Sequence, residues 1–255
     1  MRLKDKVAVV TGASSGMGRA IALAFAKEGA KVVAVARRKE MLDELVDEAK
    51  AFGGTIVAIQ GDVSQKSVNE HMIDYAVETF GSIDILVNNA GIVDQNMPVA
   101  ELSDELWERV LTVNLTGPMY ACRKAVQKML EKGSGNIINI ASIGGLRGGV
   151  AGTSYITSKF GLIGMTKNIG YMYAKEGIRC NAICPGGVNT EITLKGVGFE
   201  NASKFGSERA MLGTANNPRS ADPEEIANIA VFLASDESSF INGAAIVADG
   251  GWSAY

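Results

Sequence analysis

Histidine is almost missing from this chain: His71 is the only one in 255 residues. A Ser-His-Asp hydrolase and a histidine-rich metal centre both need imidazole at the reacting site. His71 lies in a helical stretch with acidic neighbours and no second ligand nearby, so it reads as a solvated residue and no metal is expected. Cysteine is scarce too. Cys122, Cys180 and Cys184 are odd in number and lack the paired spacing of a zinc site or disulfide framework, which fits buried thiols in a reducing cytoplasm. No apolar run approaches the ~18 residues of a membrane helix. The opening Met1–Lys6 runs straight into strand-like Val7–Val10 and leaves no room for a signal peptide's apolar core. Neither charge dominates: 25 basic and 28 acidic residues are interspersed, which gives no footprint for nucleic acid or an anionic membrane.

What the chain does have is glycine, 30 residues of it, clustered where strand-like runs end, as tight turns beside a ligand require. Short β-branched runs at Val7–Thr11, Val32–Ala36, Ile56–Gln60, Ile83–Asn88, Asn136–Ala141, Ile178–Cys184 and Ala244–Ala248 predict seven strands. Segments of helical period lie between them, at about 17–29, 39–52, 66–80, 103–131, 153–176 and 223–235. Ser103 and the Ser220–Glu225 stretch carry helix-start signals, and Gly29, Gly81 and Gly177 carry stops. This alternation implies an α/β fold, a parallel sheet covered by helices on both faces, in one domain spanning 1–255. Residues 190–217 lack sustained periodicity and read as an irregular lid over a site. The tail ends on Trp252 and Tyr255, two aromatics expected to bury.

Two stretches carry chemistry. The first strand leads into Thr11-Gly-Ala-Ser-Ser-Gly-Met-Gly18 and then an apolar helix, an arrangement whose glycines let backbone approach a pyrophosphate at a helix N-terminus. Farther on, Tyr155 and Lys159 stand four apart on one helix face, where an ammonium would lower the phenol's pKa. Pro118, four residues after Asn114, has no N–H for the Asn114 carbonyl, so that carbonyl is expected to be free.

The G-x-x-x-G-x-G spacing, followed in order by Asp62-Val63, Asn88-Asn-Ala-Gly91, Asn114, Ser142, Tyr155 with Lys159, and Pro185-Gly186, resembles the classical short-chain dehydrogenase/reductase family over essentially the whole chain. The resemblance implies a single-domain, Rossmann-like, doubly wound seven-stranded sheet and hydride transfer between a nicotinamide and a carbonyl or alcohol carbon. It implies that Tyr155 is the general acid/base, that Ser142 bonds the substrate oxygen, that Lys159 holds the nicotinamide ribose, and that Asn114 holds a relay water. It assigns the cofactor to Gly12, Ser14, Ser15, Gly16, Met17 and Gly18, to Asp62 and Val63 at the adenine, to Asn89, Ala90 and Gly91 beneath it, and to Pro185, Gly186, Val188 and Thr190 with Tyr155 and Lys159 near the nicotinamide.

Where an acid would favour NAD, the second strand ends in Ala36-Arg37-Arg38. Arg37 foremost, with Arg38 and Ser14, is expected to pair with a 2′-phosphate and favour NADP(H), while NAD(H) stays usable. The substrate would meet Ser142, Gly144, Leu146, Arg147, Tyr155, Met211 and the Val93–Asn96 turn. These mostly apolar or small residues suit a medium-sized hydrophobic or alicyclic carbonyl compound. The alternatives are a 3-oxoacyl-[acyl-carrier-protein] reductase, a hydroxysteroid or sugar dehydrogenase, and a catalytically silent NADP-binding regulator. A homotetramer, paired through the 103–131 and 153–176 helices, is implied by the resemblance.

Overall fold

Seven strands form one parallel sheet in a computed structural model that describes residues 1–254. They are β1 (Val7–Thr11), β2 (Lys31–Ala36), β3 (Thr55–Gln60), β4 (Ile85–Asn88), β5 (Gly135–Ile140), β6 (Ile178–Pro185) and β7 (Ala245–Ala248), in the order β3-β2-β1-β4-β5-β6-β7. Each lies within two residues of its expected start and end. Long helices connect them: α1 (Gly16–Lys27), α2 (Lys39–Ala51), α3 (Lys66–Phe80), α4 (Asp104–Leu111), α5 (Gly117–Lys132), α6 (Thr153–Met172) and, after two short helices described below, α9 (Pro223–Ala234). Both faces of the central strands are buried, so β1 from Val7 to Val10 and β2 from Val32 to Ala36 are apolar without interruption, and alternate residues serve opposite layers. Ala8, Val10, Val32 and Ala34 pack with Phe25, Leu42 and Val231 on one side, while Val7, Val9, Val33 and Val35 pack with Met72, Ala125 and Met129 on the other. Each buried Val contributes about 1.5–3 kcal/mol of apolar transfer, and this fixes the register on both faces.

The order reverses direction between β1 and β4. A crevice forms there beyond the carboxyl ends of the strands, where open α/β sheets place their ligands. Helix starts and stops follow local chemistry. Ser103 accepts from the Leu106 amide, Asp222 and Glu225 close a capping box ahead of Pro223, and Gly81 and Gly177 adopt left-handed conformations after their helices.

Two expectations need correction. The 103–131 segment is not one α-helix, because a π-helical turn at Thr112–Thr116 separates α4 from α5, and the Gly117 amide donates to Thr112 five residues back. Pro118, which lacks an N–H, sits at the start of α5, and the wider turn absorbs the missing donor. The 190–217 segment is not irregular either: it contains α7 (Glu191–Lys195) and α8 (Lys204–Thr214). Reciprocal Thr190–Thr193 bonds cap the first, and the Ser203 hydroxyl, accepting from Gly206, caps the second. Both are too short and too weakly amphipathic to leave a periodic signal. Trp252 buries as expected and donates from Nε1 to the Gly213 carbonyl at 2.7 Å, while Tyr255 lies outside the described residues.

Candidate active site

The turn after β1 is shaped by close backbone approach. Gly12 and Gly16 have φ of +67° and +53°, and a Cβ on Gly18 would overlap the Gly12 carbonyl and the Asn89 side chain. Thr11 ties the turn to the end of β4: its hydroxyl accepts from the amides of Asn89 (3.0 Å) and Ala90 (3.1 Å), and its carbonyl accepts from Asn89 Nδ2 at 2.9 Å. At the start of α1, Ser15 makes no side-chain cap and the first turn carries no acid, so the helix opens into the crevice with its positive end unsatisfied by side chains. Asn89 Oδ1 is buried there with no hydrogen-bond partner among the described residues. An uncapped helix end, glycine-lined backbone and an orphaned acceptor fit a dinucleotide's phosphates and polar edge. Of the residues expected at the adenine, Asp62 accepts from the Ser64 amide at 2.9 Å, and Val63 is buried with its carbonyl bonded to Asn69.

The two arginines divide differently from expectation. Arg38, not Arg37, reaches the glycine turn: its guanidinium donates to Ser14 Oγ at 3.1 and 3.3 Å, to Ser15 Oγ at 2.6 Å and to Glu191 at 2.8 Å. Arg37 is exposed, and its side chain makes no bond or ion pair with a described residue; only its carbonyl is used, by Gln60. Ser14 and Ser15 lie more than twenty residues upstream of Arg38, so strand-end position alone did not reveal this contact. Glu191 is held below the usual carboxylate range chiefly by Arg38.

Tyr155 and Lys159 lie on the first two turns of α6, and Ser142 begins a short 3-10 turn after β5, its Oγ accepting from the Gly144 amide at 3.0 Å. Ser142 lies near enough to the Tyr155 phenol to draw its pKa down. Lys159 is buried, donates to the Ile140 carbonyl at 2.9 Å and stands 5.5 Å from the Tyr155 ring centroid. Burial lowers its ammonium to about 8. Here the electrostatic expectation fails: the phenol lies above its ordinary value because its burial outweighs the lowering influence of Ser142, and Asp94 pushes it farther up. Lys159 does not offset that here.

Asn114, in the π-turn, uses its side chain as a clasp. Oδ1 accepts from the Ile92 amide and Nδ2 donates to the Ile92 carbonyl, both at 2.9 Å, with a further bond to Ser158 Oγ at 3.2 Å. Ser158 in turn donates to the Tyr155 carbonyl at 2.7 Å. A Cβ on Gly91 would come within 3.7 Å of Lys159 Nζ, so the β4 loop, Asn114 and Lys159 adjoin. Asn88 faces away from this group and binds Asn139 and Cys122 inside the sheet.

Of the residues expected near the nicotinamide, Gly186 is pressed against Asp249 and Trp252, Val188 is buried, and Thr190 caps α7 beside Gly16. Of the expected substrate residues, Gly144 is buried near Ile156 and Val150, and Leu146 packs on the Ala141–Leu162–Ile163 cluster. Arg147 donates to the Ser253 carbonyl at 3.0 Å, and Met211 is 66% exposed on α8. Leu146 and Arg147 are thus engaged by the protein itself. Asp94, within the Val93–Asn96 turn expected to meet the substrate, is instead fully buried. Its carboxylate accepts from the Gly152 amide (3.1 Å), Ser154 Oγ (3.1 Å) and the Tyr155 amide (2.8 Å). His71 is exposed, its ring tilted against Tyr75. Among the described residues no three His, Cys, Asp or Glu gather as a metal site, and no helix is long and apolar enough to cross a membrane.

A family model described as enoyl-(acyl carrier protein) reductase matches residues 12–253. The chain is 47% identical over 254 residues to 3beta-hydroxysteroid dehydrogenase 2 of Eggerthella lenta, covering 99% of this chain and 96% of that one. It is 40% identical to a 3-oxoacyl-[acyl-carrier-protein] reductase of Thermotoga maritima, covering 98% and 99%. Among solved structures, a protein assigned as an NAD(P)-dependent gluconate 5-dehydrogenase from Beutenbergia cavernae, with NADP bound at low occupancy, superposes with a TM-score of 0.87 at 37% identity, covering 99% and 98%.

Proposed function

The chain belongs to the short-chain dehydrogenase/reductase family of oxidoreductases, and on that premise we propose that it interconverts an alicyclic ketone and its secondary alcohol with NADP(H) as the preferred cofactor. The observation that carries this reading is the convergence of Ser142, Tyr155 and Lys159 beside an uncapped helix N-terminus over which Arg38 is held.

Gly12, Gly16 and Gly18 would receive the pyrophosphate, Asp62 and Val63 the adenine, and Arg38 with Ser14 and Ser15 the 2′-phosphate. Lys159 and Asn114 would border the ribose and its water, and Val188 and Thr190 the carboxamide. A bound nicotinamide supplies or accepts the hydride. In reduction, Tyr155 holds its proton at neutral pH, because burial raises the phenol, and releases it to the oxygen as negative charge develops there. Ser142 donates to that same oxygen, which is more negative in the transition state than in the ketone. In oxidation, Tyr155 takes the proton back.

The substrate class rests on the 47% identical hydroxysteroid relative and on the exposed apolar side chains of α7 and α8, among them Leu194, Phe205, Met211 and Leu212. The 40% identical relative supports an acyl-carrier thioester as the second reading. We take the whole chain as one catalytic domain with 190–217 as its lid, working in the cytoplasm. Exposed Phe160, Tyr171 and Met172 on α6 support pairing of that helix with a second copy in a homotetramer.

The test is turnover of a panel of hydroxysteroids, cyclic ketones and 3-oxoacyl-carrier thioesters with NADPH and NADH, for the native chain and Arg38→Ala. Alicyclic substrates should lead, and the substitution should cut the NADPH preference by about tenfold or more, the worth of charge-assisted bonds. Faster thioester turnover would favour the second reading, and an unchanged cofactor ratio would remove Arg38 from it.

A further inference from the structure

Helix α6 begins at a residue with no side chain to cap it, since its N-cap is Gly152. The carboxylate of Asp94 performs that office from the β4–α4 loop, taking donors from Gly152, Ser154 and the Tyr155 main chain at once. Among the described residues it forms no ion pair. A neighbouring Ser or Thr would cap a helix for about 1 kcal/mol, whereas a fully buried carboxylate carries a desolvation cost that its bonds must offset. An ordinary cap therefore does not account for its presence.

The surroundings are built to hold that group. A Cβ on Gly152 would lie 2.6 Å from both Asp94 oxygens, so only glycine leaves them room. The Asp94 carbonyl accepts from the Met97 amide, and the Met97 carbonyl accepts from the Thr153 amide at 2.9 Å, which knits the loop to the first turn of α6. Between them, Gln95 and Asn96 adopt φ of +60° and +53°, a strained pair that persists only where neighbours over-determine it. Those neighbours belong to the lid. The Ser203 amide donates to the Gln95 carbonyl at 3.0 Å, and Asn96 Nδ2 donates to Ser207 Oγ at 3.2 Å.

We propose that Asp94 is a positioning residue for the reaction, fixing the first turn of α6 so that the Tyr155 hydroxyl, beside Ser142, meets the reacting oxygen, and linking that turn to α8 through Gln95 and Asn96. This rests on the reading of Tyr155 as acid/base given above. The groups facing the phenol are Asp94 from the β4–α4 loop, Ser142 from the turn after β5 and Lys159 from α6, with Cys184 of β6 beside Lys159. Asp94 is the one negative side chain among the influences on the phenol, and it disfavours ionisation.

Asp94→Asn, with Asp94→Ser as a second neutral cap should the first fold poorly, is compared with the native full-length chain in alcohol oxidation across pH. NADP binding is followed separately by fluorescence, and the phenolate by its absorbance with Tyr155→Phe as blank. Cofactor affinity should stay within about twofold while kcat falls roughly tenfold, the scale of a small misplacement at the reacting centre. The limb that rises with pH should move to lower pH, because the phenol ionises more readily once the facing charge is gone. Ser154→Ala, which removes one donor but keeps the charge, should leave that limb in place. An unmoved limb in the neutral variants, or losses confined to melting temperature, would overturn the proposal. Full turnover by Tyr155→Phe would instead sink the acid/base reading itself, so the two failures are distinguishable.

Discussion

Between Thr11 and Gly18 the backbone is wedged against the end of β4, with Thr11 serving Asn89 and Ala90 and no space for a side chain on Gly18, whereas between Glu191 and Thr214 two short helices leave Leu194, Val197, Phe205, Met211 and Leu212 exposed. The first region is shaped by main-chain contacts that only glycine permits, and it can present one geometry to one kind of ligand. The second is held by end caps, by the Asn96 and Gln95 contacts and by the Trp252 bond, and its surface carries replaceable apolar side chains. On the proposed reading, cofactor binding belongs to the first region and substrate choice to the second.

The contrast can be broken from either side. In the rigid region, Gly18→Ala should cost about 1–3 kcal/mol of stability through overpacking and weaken NADP binding at least about tenfold, since the new methyl meets the Gly12 backbone as well as Asn89. Denaturant unfolding and a cofactor titration would measure both, and a silent substitution would mean the turn is more yielding than drawn. In the pliable region, Leu212→Ser, at a residue 66% exposed, should shift stability by no more than about 0.5 kcal/mol and leave cofactor affinity alone. It should raise KM for an apolar ketone by about two- to fivefold. Loss of cofactor affinity in that variant would erase the proposed division of labour.

Much of this was legible in the residues themselves. All seven strands emerge because they are β-branched runs closed by glycine or a polar turn, and the disturbance in the 103–131 helix is foreshadowed by Pro118. The obscure parts depend on contacts distant in sequence. α7 and α8 are short and defined by caps, the seating of Arg38 on the glycine turn depends on Ser14 and Ser15, and the place of Asp94 arises from amides 58 to 61 residues away. The direction in which the phenol is shifted could not be read from spacing, because four residues of separation bring the ammonium near but do not reveal how deeply either group is buried.

The central claim is that one phenolic hydroxyl moves the proton, and Tyr155→Phe tests it with the smallest change. The account predicts that this variant binds NADP as tightly as the native chain, keeps its melting temperature within a few degrees and loses at least about a hundredfold in kcat, the usual share of a general acid/base. Turnover equal to the native chain, with the same pH dependence, would contradict it.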